Sequence, residues 1–147
     1  MTQKQGLILF HTEAPLIFEL EHQDKVEAWL RSVITTEKHD LNLINYIFCT
    51  DEYIYQINMD YLQHDTYTDI ITFDNSEEEN ELESDIFISI ERIKENAQNL
   101  NIAFYTELHR VLVHGILHLV GYKDKTPTEA QKMREMEDFH LASIPVL

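Results

Sequence analysis

The chain is poor in the residues that bend, staple or span. Its 147 residues include three glycines, three prolines, one cysteine and one tryptophan. A single cysteine excludes an internal disulfide and fits a reducing compartment, so a cytoplasmic setting is expected. Cys49 lies in the apolar run LINYIFC and reads as a small buried hydrophobe rather than a nucleophile. No apolar run approaches the ~20 residues a membrane helix needs, so no membrane partner is expected. The opening MTQKQGLILFHTE lacks a long apolar stretch and a small-residue cleavage site, and is not read as a signal peptide. Cations are scarce as well. Eleven Lys and Arg face 27 Asp and Glu, a formal net charge of −16. Such a balance favours solubility and repels polyanions on average, and taken alone it argues against nucleic-acid binding. The acid is uneven, however. DNSEEENELESD, residues 74–85, holds seven acidic residues and no basic one, and reads as a solvated loop. Local groups, not net charge, set the field inside a cleft.

What is present is apolar periodicity. A hydrophobic content of 44% and this length fit one globular domain over residues 1–147. Leu7 to Phe10 and Leu16 to Leu20 read as strands around a proline-containing turn. Val26, Trp29, Leu30, Val33 and Ile34 recur at three and four, as on an amphipathic helix. Leu43 to Cys49 is a buried-strand candidate, and Asp51 reads as the cap of a helix carrying Ile54, Ile57 and Tyr61. Strands are expected at Asp69 to Phe73 and Asp85 to Ile90, and a helix through Ile93, Ala97 and Leu100. Glu107 to Val120 is the most apolar helix, with Gly121 placed to end it. Thr126 and Pro127 open a last helix bearing Met133, Met136 and Phe139. Strands mixed with about five helices give an α/β (α+β) class, with the helices packed on one sheet.

The chemistry concentrates in HGILHLVGYKD, residues 114–124. His114 and His118, four apart on a helix, aim two imidazoles at one point. That is the geometry of the HExxH zinc helix, but Gly115 stands where a metallopeptidase has its glutamate base. Gly115 lets the helix approach another backbone or leaves room for a ligand. Gly121 then reverses the chain, and Asp124 can return to the same point. Two histidines from a helix and a carboxylate after a glycine turn make a three-ligand metal site with a position left for water. The histidine pair alone would equally suit ordinary core or surface residues. The glycine turn and the carboxylate at the right offset favour metal.

Other candidates are weaker. Glu107, two turns before His114, reads as support for the site or as a structural pair. His64 in a polar turn and Lys123 beside Asp124 are candidates for contacting substrate, as is Lys125, against the plainer reading of solvated loop residues. His109 falls on another helix face and reads as surface, as do His11, His22, His39 and His140. No general base is evident, so catalysis is expected to rest on the metal and the water it polarises.

HGILHLVGYKD resembles the HGxLHLxGyDH signature of the bacterial rRNA maturation factors, the YbeY-like endoribonucleases. TDIITF, from Thr68, resembles that family's TDVLSF, and SDIFIS, from Ser84, resembles its GDIvIs. Glu107 sits where the family has a glutamate. The resemblance covers essentially the whole chain. It implies a small mixed sheet of about four strands, a metal-binding helix in a cleft, and a metal-dependent hydrolase, with zinc as the expected ion. It also implies single-stranded rRNA as substrate, with a role in maturing the 3′ end of small-subunit rRNA and in ribosome quality control. Thr68 and Asp69 are expected at the rim of the cleft, Asp69 in a structural role. Two departures from the family matter most. Asp124 stands at its third histidine, and Leu62 stands at the arginine of its NxxYR segment. Two alternatives follow. One is a metallohydrolase on another substrate such as a peptide, against which Gly115 counts. The other is a non-catalytic assembly factor with a structural metal, bound to the small ribosomal subunit through a basic ribosomal protein or an assembly GTPase; Leu62 favours it.

Overall fold

Alternating side chains in four segments build one sheet. A computed structural model describes residues 6–64 and 66–145. Its strands are β1 (Leu7–Thr12), β2 (Asp40–Cys49), β3 (Ile70–Asp74) and β4 (Glu81–Ser89), in the spatial order β1-β2-β4-β3. β1, β2 and β4 run parallel, and β3 is antiparallel to β4 at the edge. The helices are α1 (Gln23–Thr36), α2 (Asp51–Leu62), α3 (Ile90–Leu100), α4 (Phe104–Leu119) and α5 (Pro127–Leu141). The α/β class, the mixed sheet of four strands and the five helices among the described residues match the sequence expectation. No helix among the described residues is long and apolar enough to cross a membrane.

The period of two divides the sheet into unlike faces. Ile8, Ile44, Tyr46, Phe48, Ile86 and Ile88 belong to the main core with Val26, Trp29 and Leu30 of α1 and Leu108, Leu112 and Ile116 of α4. Each such side chain, fully buried, stabilises the fold by about 1.5–3 kcal/mol before entropy is counted. The intervening residues Cys49 and Ile71 form a smaller cluster with Ile54 and Ile57 of α2, backed by Phe73 and Phe87. Cys49 is buried and free, as expected, and burial raises its thiol pKa to about 12, out of the nucleophilic range. Tyr46 donates its hydroxyl to the Leu112 carbonyl at 2.8 Å, tying the middle of α4 to the sheet.

Several expectations are corrected. Leu16 to Leu20 forms no strand. Leu20 is buried and Ile17 is 97% exposed, so side-chain burial, not ladder pairing, explains the pattern. The cap of α2 is Thr50, whose side chain accepts from the Tyr53 amide. Asp51 instead takes two hydrogen bonds from the Arg92 guanidinium, at 2.7 and 3.3 Å, joining the start of α2 to α3. The acidic run is only partly a loop. Asp74 ends β3 and Glu81 begins β4, because Leu82 and Ser84 point inward while the acids between them face outward. Ile90 opens α3 rather than ending β4. Phe139 is 60% exposed; the inner face of α5 is Met133, Glu137 and His140.

His109 and His140 are both buried, against the expectation of surface positions. His109 packs edge-on against Trp29 and beside Tyr105. Burial lowers its pKa to about 4, with a small push from His22. His140 sits 3.2 Å from a Glu37 carboxylate oxygen, and its carbonyl accepts from the Trp29 indole at 2.9 Å. Both histidines fill the space between helices, a tertiary fact that helical periodicity alone does not carry.

Candidate functional site

The helix α4 ends as its sequence demands. Gly121, at φ 112°, donates to the His118 carbonyl, and Tyr122 donates to that of Leu117. These two bonds make a Schellman closure, with glycine in the position that needs positive φ. Tyr122 then donates its hydroxyl to Glu37 at the end of α1, at 2.8 Å, fixing the returning turn. The capping box of Thr126 and Glu129 starts α5 directly afterwards. Asp124 is held between these two well-determined ends.

Gly115 answers a question of packing. A Cβ there would lie 3.1 Å from Ile86 and 3.3 Å from Ile70, both side-chain carbons of the sheet. The glycine lets α4 sit close over β3 and β4, and its neighbours are sheet residues.

That close approach, with α5 on the far side, leaves a cleft of about 430 Å³. Thr68, Asp69, Ile70 and Thr72 form one wall; Glu107, Arg110, Val111, His114 and His118 of α4 form the floor; Asp124, Arg134 and Glu137 close it. The expected residues Thr68, Asp69, His114, His118 and Asp124 therefore share one cavity. His64, Lys123 and Lys125 are exposed and are not among its lining residues. Leu62 is 41% exposed and also lies outside the lining. Asn58 of the same segment is buried, and its amide donates to the carbonyl and hydroxyl of Thr66, shaping the turn that leads to β3.

At the centre is a chain of polar contacts. Glu137 is buried, and one of its oxygens lies 2.8 Å from His114 Nδ1. Its other oxygen accepts from Arg110 at 2.9 Å, and Arg110 also donates to Asp138 at 2.8 Å. Burial works to raise the Glu137 pKa, but the hydrogen bonds from His114 and Arg110 outweigh it and hold it below the usual value. An ionised carboxylate only accepts, so Nδ1 of His114 carries the proton. His114 Nε2 is left facing Asp124, 3.5 Å from its Oδ2. For His114, burial favours the neutral ring, yet Glu137, Asp124 and Asp69 together keep its pKa above the ordinary value. Among the described residues no three His, Cys, Asp or Glu side chains stand close enough to hold a metal ion as they are. Of the expected ligands, His114 and Asp124 are in contact, and His118 lines the same cleft.

Two carboxyl groups face the cleft under strain of burial. Desolvation raises the pKa of Asp69, opposed by His114 and by its own backbone hydrogen bonds. Asn96 of α3 donates to Asp69 at 3.4 Å. The Glu107 pKa is raised by burial and then by Asp69, and its Oε1 is buried with no hydrogen-bond partner among the described residues. Sequence reasoning missed Arg110, Arg134 and Glu137. Glu137 and Arg134 come from α5, and no motif connects that helix to the histidines. A charged residue on the apolar stripe with Met133 was the one available signal.

A small α/β domain of this topology, whose fourth helix lays two histidines in a cleft with buried carboxylates, defines a recognisable class. A family model described as Endoribonuclease YbeY matches residues 10–145. The chain is 52% identical over 139 residues to the Endoribonuclease YbeY of Cytophaga hutchinsonii, covering 95% of this chain and 96% of that one. It is 49% identical over 129 residues to that of Flavobacterium johnsoniae, covering 88% and 92%. A solution structure of a Thermotoga maritima protein is also similar, at TM-score 0.66 and 25% identity, over 94% of this chain and 89% of that one. The chain belongs to the Endoribonuclease YbeY family.

Proposed function

We propose that this protein is a metal-dependent endoribonuclease that cleaves single-stranded RNA in the cytoplasm, in the maturation of small-subunit rRNA. The observation that carries the reading is the Glu137–His114–Asp124 chain inside the cleft of a family member. Glu137 keeps a proton on Nδ1 and fixes the orientation of His114, so that Nε2 faces the cleft and, once deprotonated, is the nitrogen that would hold a metal. A carboxylate behind a histidine in this way is the usual support for a metal ligand. His114, His118 and Asp124 supply a donor set of two imidazoles and one carboxylate that suits zinc. When bound, a divalent cation supplies Lewis acidity to a phosphodiester and lowers the pKa of water. Asp69 and Glu107, whose protonated forms burial favours, are placed to hold or pass a proton within the cleft. Thr68 and Thr72 offer hydroxyls along the rim.

The test is removal of the two imidazoles. His114→Ala and His118→Ala are expected to lose bound metal and to lose cleavage of single-stranded RNA by at least two orders of magnitude, in the range of lost metal support. Metal content equal to the parent, or cleavage that persists without metal, would overturn the reading. Leu62 outside the cleft favours one second reading, a non-catalytic assembly factor of the small subunit. Metal-loaded protein that co-sediments with small subunits but cleaves no single-stranded RNA would select it.

A further inference from the structure

A chain of formal charge −16 must gather cations locally if a polyanion is to enter its cleft. The lining contributes four carboxylic side chains, Asp69, Glu107, Asp124 and Glu137, and two guanidinium groups, Arg110 and Arg134. The two arginines are not equivalent. Arg110 is largely buried and held by Glu137 and Asp138, at 2.9 and 2.8 Å, through one bond from each terminal nitrogen. Its two terminal nitrogens are thus held by carboxylates of α5, and one of them positions Glu137. Arg134 has a side chain 59% exposed, and its contact with Glu137 is at 4.0 Å, the outer limit of an ion pair. Both oxygens of Glu137 are already engaged at shorter range, by Arg110 and by His114. Arg134 therefore keeps most of its planar donor fork for something entering from solvent. It stands one turn along α5 from Glu137 and lines the same cavity as His114.

We infer that Arg134 is the phosphate-gripping residue of the cleft, holding a non-bridging oxygen pair of the RNA backbone beside His114. Arginine suits that task because its fork matches a phosphate in bidentate fashion and cannot deprotonate. This places on α5 a cation that the chain lacks at Leu62, and it assigns no such role to His64, Lys123 or Lys125. The inference rests on the endoribonuclease reading, since it supposes a phosphodiester in the cleft.

The test is binding rather than cleavage, with a 2′-O-methylated single-stranded oligonucleotide as the probe, on the full chain at several salt concentrations. Arg134→Gln is expected to weaken binding about tenfold and to reduce the slope of log affinity against log salt by about 0.7, the value of one phosphate contact on a single strand. Arg134→Lys should restore the slope but only part of the affinity, because a point charge replaces the fork. Arg31→Gln, at a half-buried ion pair on α1, removes the same net charge and should change affinity less than twofold. Affinity and slope unchanged in Arg134→Gln, while the parent binds, would overturn the inference and leave the endoribonuclease reading standing. A parent chain with no salt-dependent binding of the probe would overturn both.

Discussion

At the scale of single residues, the site depends on which atom of His114 is engaged. Glu137 occupies Nδ1 at 2.8 Å, so Nε2 is the nitrogen that faces Asp124. Glu137→Gln keeps an acceptor of the same shape but removes the charge that polarises the ring. It also allows the amide to turn its NH₂ toward Nδ1 and reverse the tautomer. If His114 is a ligand as proposed, zinc affinity of the folded variant, measured by competition with a chelator, is expected to fall about 10–100-fold. An affinity equal to the parent would leave Glu137 as a structural partner of Arg110 only. The two histidines and Asp124 were legible from spacing, because i and i+4 share a helix face and glycine permits the turn. Glu137 was not legible, because it reaches His114 across a helix-to-helix contact.

At the scale of elements, the turn between α4 and α5 sets where Asp124 stands. It is held by the two bonds of the helix closure, by Tyr122 on Glu37, and by the capping box of α5. Gly121, at φ 112°, avoids the strain that a residue with a Cβ would feel there, and nothing lies within 4 Å of a Cβ placed at that position. The cost of Gly121→Ala is therefore backbone strain alone. A loss of about 1–3 kcal/mol in urea unfolding is expected, and an unchanged midpoint would show that the turn relaxes freely. Helix periodicity and caps were readable here to within a few residues. The strand misassigned at Leu16 to Leu20 shows the limit of that reading. A period of two reports which side chains are buried, but a strand also needs a neighbouring backbone with unpaired groups.

At the scale of the whole molecule, stability is coupled to pH through buried groups outside the cleft. His109 is 6% exposed, its Nε2 has no hydrogen-bond partner among the described residues, and its pKa is lowered from 6.5 to about 4. In the unfolded chain the ring takes a proton as pH falls through about 6.5; in the folded protein it resists until about 4. Its contribution is thus fully present above about pH 6.5, is lost progressively as pH falls, and levels off below about pH 4. At ~1.4 kcal/mol per pH unit the loss amounts to roughly 3 kcal/mol. His109→Phe, which keeps a flat ring against Trp29 and Tyr105, is expected to flatten the fall in unfolding free energy across that window by a comparable amount. Equal slopes in parent and variant would sink this assignment.

What the sequence determined by itself was local: helix faces, caps, the glycine turn, the alternation of the sheet, and the spacing that marks His114, His118 and Asp124. Those features depend on residues a few positions apart, whose geometry the backbone periods fix. The tertiary structure alone decided which distant groups meet. It set Glu137 behind His114, Arg134 at the cleft mouth, His109 and His140 between helices, and Leu62 outside the cavity. Such contacts arise from the packing of α5 and α1 against α4. They depend on the summed fit of whole faces rather than on any short spacing.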